Sequence, residues 1–515
     1  MSQESNHAPH DASGNTSKEH SSMPLSLALL PVVALIAALS WNVYVFGDDA
    51  LSGSSQMIII LITGVCAAIG MWRGVPWATQ QKVVVATIGN AMPSILILLL
   101  VGALASIWLL CGTVPVLVYY GVKLLNPSIF LVAACVACAL TSLVSGSSWS
   151  TAATIGVAMV GVGRALGIPD GLIGGAIISG SYFGDKVSPL SDTTNLAAAV
   201  TETPLFDHIR YLFLTTGPSM LISLILFGVI GFNLDTTTSA VDVSDVLGAI
   251  DQRFNINLWL LAPPVIVMGL IYKRVDAIPA LFVGIVVGVI FALLFQQPLL
   301  TDIMEGLGDY PLYKLIMTTL FGGVSITTSN EMLNDLFSAS GMEGMLGTIW
   351  LIIAAMAFGG VMEASGMLAR MMESIKSLAN SFFSLVACTA GTCFVTNVST
   401  SDQYISVAIP GRMYSRLYKE KGYASENLSR TLEDTGTVTS VLIPWNTCGA
   451  YHASVLGIGT FAYLPYCFFN LISPFMTLIF AWFMIKIKRI DSSGEDSSDE
   501  DSSNKDLQTE QQQSF

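Results

Sequence analysis

Apolar segments long enough to cross a membrane recur along almost all of this 515-residue chain, near 24–46, 56–72, 92–114, 128–147, 148–166, 170–200, 210–234, 257–272, 277–295, 345–364, 380–400, 402–418, 428–458 and 461–485. A helix of about 20 apolar residues spans a ~30 Å hydrocarbon core. Inside that core every backbone N–H and C=O must be paired within the protein, and runs of this length do so as helices. The pattern therefore predicts an all-α polytopic membrane protein. Several runs are short or interrupted by Gly or Pro, so roughly 11–13 transmembrane helices are expected, with broken helices and re-entrant hairpins among them. Only 11% of residues are charged, against about 25% in a soluble domain. A soluble fold is excluded, and each carboxylate in the apolar body becomes informative.

Two tails bracket that body. Residues 1–22 are rich in Ser, His and Asn and lack the basic n-region and cleavage site of a signal peptide, so they read as an uncleaved, disordered lead. Residues 489–515 form an acidic tail, also expected to be disordered. Its part from 491 to 515 holds eight acids against Lys505 and supplies half of the formal net charge of −14. Lys486, Lys488 and Arg489 end the last apolar run, which places the C-terminus in the cytoplasm by the positive-inside rule. Between the tails the chain divides into N-terminal helices (23–90), a first transport repeat (91–234), connecting helices and loops (235–344) and a second transport repeat (345–488). The eight cysteines lie mostly in apolar sequence, and the Cys135/Cys138 spacing has no second pair or nearby His to complete a metal or redox site.

The repeat is visible without gaps. An offset of 255 places Cys138 on Cys393, Thr141 on Thr396, Gly156 on Gly411, Gly167 on Gly422 and Pro189 on Pro444. The connector after Gly411 carries Arg412, Arg416, Lys419 and Lys421, whereas the equivalent connector carries Arg164 alone. Opposite charge bias at equivalent positions implies inverted topology, the arrangement of alternating-access transporters with a site near the midplane.

Setting tails and loops aside leaves six acids at membrane depth: Asp185, Asp192, Glu363, Asp402, Glu433 and Asp434. An ionised group there is costly unless paired or hydrated, so it is a candidate for function. Asp185, Lys186 and Asp192 sit within Ser179–Asn195, where Pro189 cannot donate to the Asp185 carbonyl and should break the helix. The freed carbonyls, with Thr193 and Asn195, offer oxygen ligands to a small hard cation. The second repeat has Glu433 and Asp434, then Pro444, Asn446 and Thr447, and two breaks facing each other would enclose one oxygen-rich cavity. The bland alternatives are equally concrete. Asp185 could pair with Lys186 or Arg430, Asp402 could cap the following helix, and Glu363 could lie at an interface.

Nothing equips the chain as an enzyme. It has no His-Glu-x-x-His, no Gly-x-x-x-x-Gly-Lys-Ser/Thr and no Gly-x-Ser-x-Gly pattern, which removes metalloprotease, ATP-driven pump and hydrolase chemistry. Transport without a nucleotide site must draw on an ion gradient.

The strings GDKVSPLSDTTNLA at 184–197, DQY at 402–404, PGRM at 410–413, RTLEDTGTVT at 430–439 and IPWNTCG at 443–449 resemble the signature segments of the NhaC-type sodium/proton antiporters, bacterial inner-membrane carriers. The likeness covers most of 24–485 in order and spacing. It implies an inverted-repeat carrier that exchanges cytoplasmic Na⁺ for external protons, with Na⁺ and H⁺ as cargo and no cofactor. On that reading Asp185 and Asp192, or Glu433 and Asp434, trade protons for Na⁺. Asp185, Asp192, Asn195 and Asn446 are the expected Na⁺ ligands, with Thr193, Thr447 and Asp402 close by and Lys186, Arg430 and Glu363 as further coupling groups. The expected partners are membrane lipid and the two ions, with no nucleic acid. Exchange of small organic anions such as malate or lactate is the alternative, and a homodimer is the assembly held open.

Overall fold

The computed structural model describes residues 23–46, 53–234, 243–305 and 307–490. The two tails expected to be disordered, 1–22 and the part of the acidic tail from 491 on, lie outside the described residues. Helices make up nearly everything else, the described sheet being one two-stranded pairing of Val324–Ser325 with Ser338–Ala339. Among the described residues eight helices are long and apolar enough to cross a membrane, and two bent pairs raise that to ten. Two broken helices described below add to that number, because neither of their halves reaches the length of a full span. Large apolar side chains such as Leu30, Val33, Leu61, Leu221, Ile225, Phe282 and Val286 face outward, as a lipid-facing surface requires.

The repeat in sequence is a repeat in space, and its helix boundaries agree to the residue. Pro127–Ser145 corresponds to Phe382–Thr400, and each ends at a left-handed residue, Gly146 (φ 68°) and Ser401 (φ 60°). The chain then turns back into a second arm whose first turn is capped by a side chain. Ser147 Oγ accepts from the Ser150 N–H at 3.2 Å, and Asp402 Oδ1 from the Ile405 N–H at 2.9 Å. After each hairpin comes a broken helix. Asp170–Lys186 continues, past the break at Pro189, as Asp192–Thr201; Ser425–Leu432, extended by a π-turn at Glu433–Thr437, continues past Pro444 as Thr447–Leu456.

The two repeats are related by a pseudo-twofold operation. Arg164 donates to the Gly457 carbonyl at 3.0 Å, and the equivalent residues exchanged between repeats, Lys419 and Glu202, form an ion pair at 2.7 Å. These contacts lie at opposite ends of the molecule. Glu202 precedes the helix Leu205–Asn233, whose 29 residues rise about 43 Å. At the far end of that helix Gly231 packs on Ser128, which opens the first hairpin. Asp170–Lys186 runs parallel to the arm starting there: a Cβ at Gly180 would lie 2.0 Å from the Cys135 carbonyl, and one at Gly184 2.2 Å from that of Ala139. Only glycine permits this approach, which holds the break against the hairpin tip. One repeat is thus upside down relative to the other, as the loop charges imply.

Candidate functional site

The hairpin tip and the break of the first repeat meet at Asp185. Its Oδ2 accepts two hydrogen bonds from Ser148, from the backbone N–H at 2.9 Å and from the hydroxyl at 2.7 Å. The Ser191 hydroxyl stands on the same carboxylate. Asp185 is 6% exposed, and what it meets beyond these groups is a cavity of about 520 Å³. Asp192, Thr193, Ser145, Ser147 and Ser150 contribute oxygens to the wall, Gln403 and Tyr404 come from the second repeat, and Asn90, Arg274 and Asp276 form the rim. The polar lining is mostly oxygen, the ligand type of hard cations. Acids outnumber bases there, Asp185, Asp192 and Asp276 against Arg274.

Several sequence expectations are corrected by this geometry. The cavity wall holds the first break and no residue of the second, and the freed carbonyls are re-paired locally. Asp185 O accepts from the Ser188 N–H at 3.1 Å and Ser440 O from the Ile443 N–H at 3.3 Å. Asn195 is absent from the cavity wall; its Nδ2 donates to the Pro189 and Ser191 carbonyls, at 3.0 and 2.7 Å, and closes the break. Asn446 is also committed. Its Oδ1 accepts from the Cys448 N–H at 3.0 Å and its Nδ2 donates to Asn397, so it caps a helix instead of facing an ion. Thr447 binds the Ser401 carbonyl through its N–H at 2.9 Å. Asp402 is the helix cap that the bland reading described, and Glu363 lies exposed on Leu346–Ala364, away from the cavity.

Asp185 pairs with neither Lys186 nor Arg430. Lys186, pointing away from the cavity, forms a fully buried ion pair with Asp434 of the second repeat. Thr215 donates to Asp434 Oδ2 at 2.8 Å, Ser473 to Oδ1 at 3.0 Å, and Thr477 also donates to Oδ2. Nothing local in the sequence marks these three hydroxyls, since Ser and Thr are common in membrane helices. Glu433 is fully buried, neither oxygen meets hydrogen-bond geometry, and the charges of Lys186, Asp185 and Asp434 act on it. Arg430 is fully buried without a hydrogen bond and lies over the Tyr211 ring, 4.6 Å from its centroid.

A family model described as the Na⁺/H⁺ antiporter family matches residues 180–485, the stretch that holds both breaks and the second repeat. The chain is 37% identical over 428 residues to the Na⁺/H⁺ antiporter NhaC of Alkalihalophilus pseudofirmus, covering 83% of this chain and 90% of that one. The chain belongs to the Na⁺/H⁺ antiporter family. Its likeness to NhaC of Bacillus subtilis is 36% over 414 residues, 80% of this chain and 89% of that one. The malate-2H⁺/Na⁺-lactate antiporter of the same organism is 32% identical over 461 residues, 89% of this chain and 95% of that one. Membership, together with the apolar helices, makes this a multi-pass membrane transporter.

Proposed function

We propose that the protein is a secondary active transporter that exchanges cytoplasmic Na⁺ for external protons by alternating access, with Asp185 as the group over which the two ions compete. The observation that carries this reading is one buried carboxylate, braced by Ser148 on the hairpin tip and open to an oxygen-lined cavity. Either a proton or Na⁺ neutralises it. Left anionic and empty it would carry an unpaired charge through the membrane interior, at a cost of several kcal/mol. A carrier that changes face only when neutralised exchanges one ion for the other. Asp192, exposed at the cavity wall, raises the local cation concentration and completes the ligand set with Thr193 and the serine hydroxyls.

Orientation follows from charge. The loop Lys273–Asp276 at the cavity rim and the connector with Arg412, Arg416, Lys419 and Lys421 are basic, which supports a cytoplasmic cavity mouth and C-terminus in the inner membrane. The excess of acids in the wall favours a cation as cargo over the organic anions named for the malate–lactate relative. In everted membrane vesicles, added Na⁺ is expected to dissipate an imposed ΔpH, and Asp185→Asn to abolish that response with the carrier still inserted. A wild-type ΔpH indifferent to Na⁺ but responsive to malate or lactate would replace this reading with organic-anion exchange.

A further inference from the structure

The cavity is one polar route into the protein, and a second, sealed route of different charge runs beside the segment 425–437. It begins at an ion pair between Lys488, one-third exposed, and Glu426, at 2.9 Å. One turn further in, the Ser429 hydroxyl donates to the Glu426 carbonyl at 3.2 Å and lies 2.7 Å from Nδ1 of His208, which is fully buried. In the tautomer in which Ser429 keeps its bond to the Glu426 carbonyl, Nδ1 is the donor in that contact and Nε2 carries the bare lone pair. Nε2 has no hydrogen-bond partner among the described residues.

The interior side of His208 leads to the inter-repeat ion pair. The charges of Lys186 and Asp434 act on the ring, and Thr215, two turns along the same face of Leu205–Asn233, donates to Asp434. Arg430 and Glu426 are the other charges on the segment facing it, and Lys488 is the charge at its outer end. Pro127–Ser145 and Phe468–Trp482, also packed on this helix, bring none, and Asp192–Thr201 brings only Asp192 at its distant first residue. Further buried polar atoms on this helix and on the segment 425–437 meet no hydrogen-bond geometry among the described residues: Thr216 Oγ1, both Glu433 oxygens and Thr437 Oγ1. Buried polar groups that the protein leaves unpaired are satisfied by water, and a file of hydrated groups conducts protons.

We propose that His208 passes protons between the basic face and the buried Glu433, Lys186 and Asp434 group, so that protons have a route separate from the cavity through which Na⁺ reaches Asp185. This rests on the Na⁺/H⁺ exchange reading and adds the path. Asp434 and Glu426 neutralise Lys186 and Lys488, which leaves the buried Arg430 guanidinium as the charge that repels Na⁺ from the sealed route, whereas a proton moves by bond exchange and needs no ligand cage. In the inward direction an O–H bond of a water on the interior side breaks as an N–H bond forms at Nε2, the resulting hydroxide being reprotonated by the Glu433 carboxyl, and the N–H bond at Nδ1 breaks. Its proton goes to the Ser429 oxygen while the Ser429 O–H proton leaves to water at the Glu426–Lys488 end.

The test uses the purified full chain in proteoliposomes, in two modes. Exchange of ²²Na⁺ for Na⁺ needs the cation site and alternating access but no proton; Na⁺-driven proton movement needs the proton route as well. In His208→Gln the first mode is expected to stay close to wild type while the second falls by about tenfold or more and its pH profile flattens. Undiminished proton movement overturns the proposal, and so does equal loss of both modes in inserted protein, which marks a structural histidine. Should His208→Gln fail to insert, Ser429→Ala decides, because it keeps the imidazole and removes its anchor. It is expected to slow proton movement with Na⁺/Na⁺ exchange intact, and unchanged proton movement overturns the route. A wild type without Na⁺-driven proton movement defeats the exchange reading itself.

Discussion

Lys186 and Asp434 form a fully buried ion pair that ties the broken helix of the first repeat to that of the second. Each charge is next to an element of the candidate site: Lys186 follows Asp185, and Asp434 follows Glu433. Three hydroxyls complete the shell around Asp434, so the pair is well solvated by protein. Removing one partner of a buried pair strands the other and costs about 3–5 kcal/mol, whereas replacing both can be nearly neutral. Lys186→Met and Asp434→Asn are each expected to lower the thermal midpoint of the detergent-solubilised protein sharply, and the double variant Lys186→Met/Asp434→Asn to recover most of the loss. A double variant as unstable as the sum of the two singles would show that the residues act separately.

Ser148 offers a graded test of the Asp185 site. Its hydroxyl supplies one of two hydrogen bonds to Asp185 Oδ2, the other coming from its own backbone N–H. Hydrogen bonds to charged groups contribute about 1.5–3 kcal/mol. Ser148→Ala keeps the backbone donor and is expected to raise the half-saturating Na⁺ concentration by roughly tenfold while leaving exchange measurable, in contrast to the complete loss in Asp185→Asn. Na⁺ titration of the vesicle ΔpH response measures both, and an Ser148→Ala curve superimposable on wild type would remove the hydroxyl from the site.

Asn195 separates holding the break from binding the ion. The residue donates to the Pro189 carbonyl, which the break leaves open, and to the Ser191 carbonyl, which also accepts the Asn195 N–H, and it is not in the cavity wall. Asn195→Ala is expected to destabilise the protein by about 0.5–1.5 kcal/mol through the lost hydrogen bonds, with half-saturating Na⁺ changed less than in Ser148→Ala. Thermal unfolding beside Na⁺ titration distinguishes the roles. A large Na⁺ defect with unaltered stability would restore Asn195 as a ligand.

Much of the fold was legible because two signals were redundant. Apolar length marked the spans, and the offset of 255 survived at the residues with special backbone duties, such as Gly167/Gly422, left-handed in both copies, and the two break prolines. The break itself was legible from Pro189 and Pro444, but what the freed carbonyls do was not. Asn195 and two local turns reclaim them, a choice set by local backbone and rotamer geometry and not by spacing. Asp185 and Lys186 show the limit most clearly. Adjacent in sequence, they look like one ionic cluster, yet successive residues on a helix point about 100° apart. One therefore faces the cavity and the other the opposite repeat. Thr215, Ser473 and Thr477 lie on helices far away in sequence, where only the tertiary fold gives a hydroxyl meaning.

The Glu202–Lys419 contact, twofold mate of Arg164 with Gly457, gives a pH prediction outside the membrane interior. The hydrogen bond from Lys419, aided by its charge, holds the Glu202 carboxyl below the usual range. A lowered value means that any stabilisation is fully present above the unfolded value of about 4.3 and is lost as pH falls through the folded one. Both side chains are exposed, so salt screens the pair and its contribution is small. Glu202→Gln should therefore leave Na⁺-driven proton movement unchanged across pH 7–9, and whatever stability gap separates it from wild type at neutral pH should close on acidification. Thermal unfolding of both proteins over an acid-to-neutral series checks the sign. A gap that widens under acid would mean that the carboxylate is not held by Lys419, and an altered alkaline profile would tie this end of the twofold to the transport cycle itself.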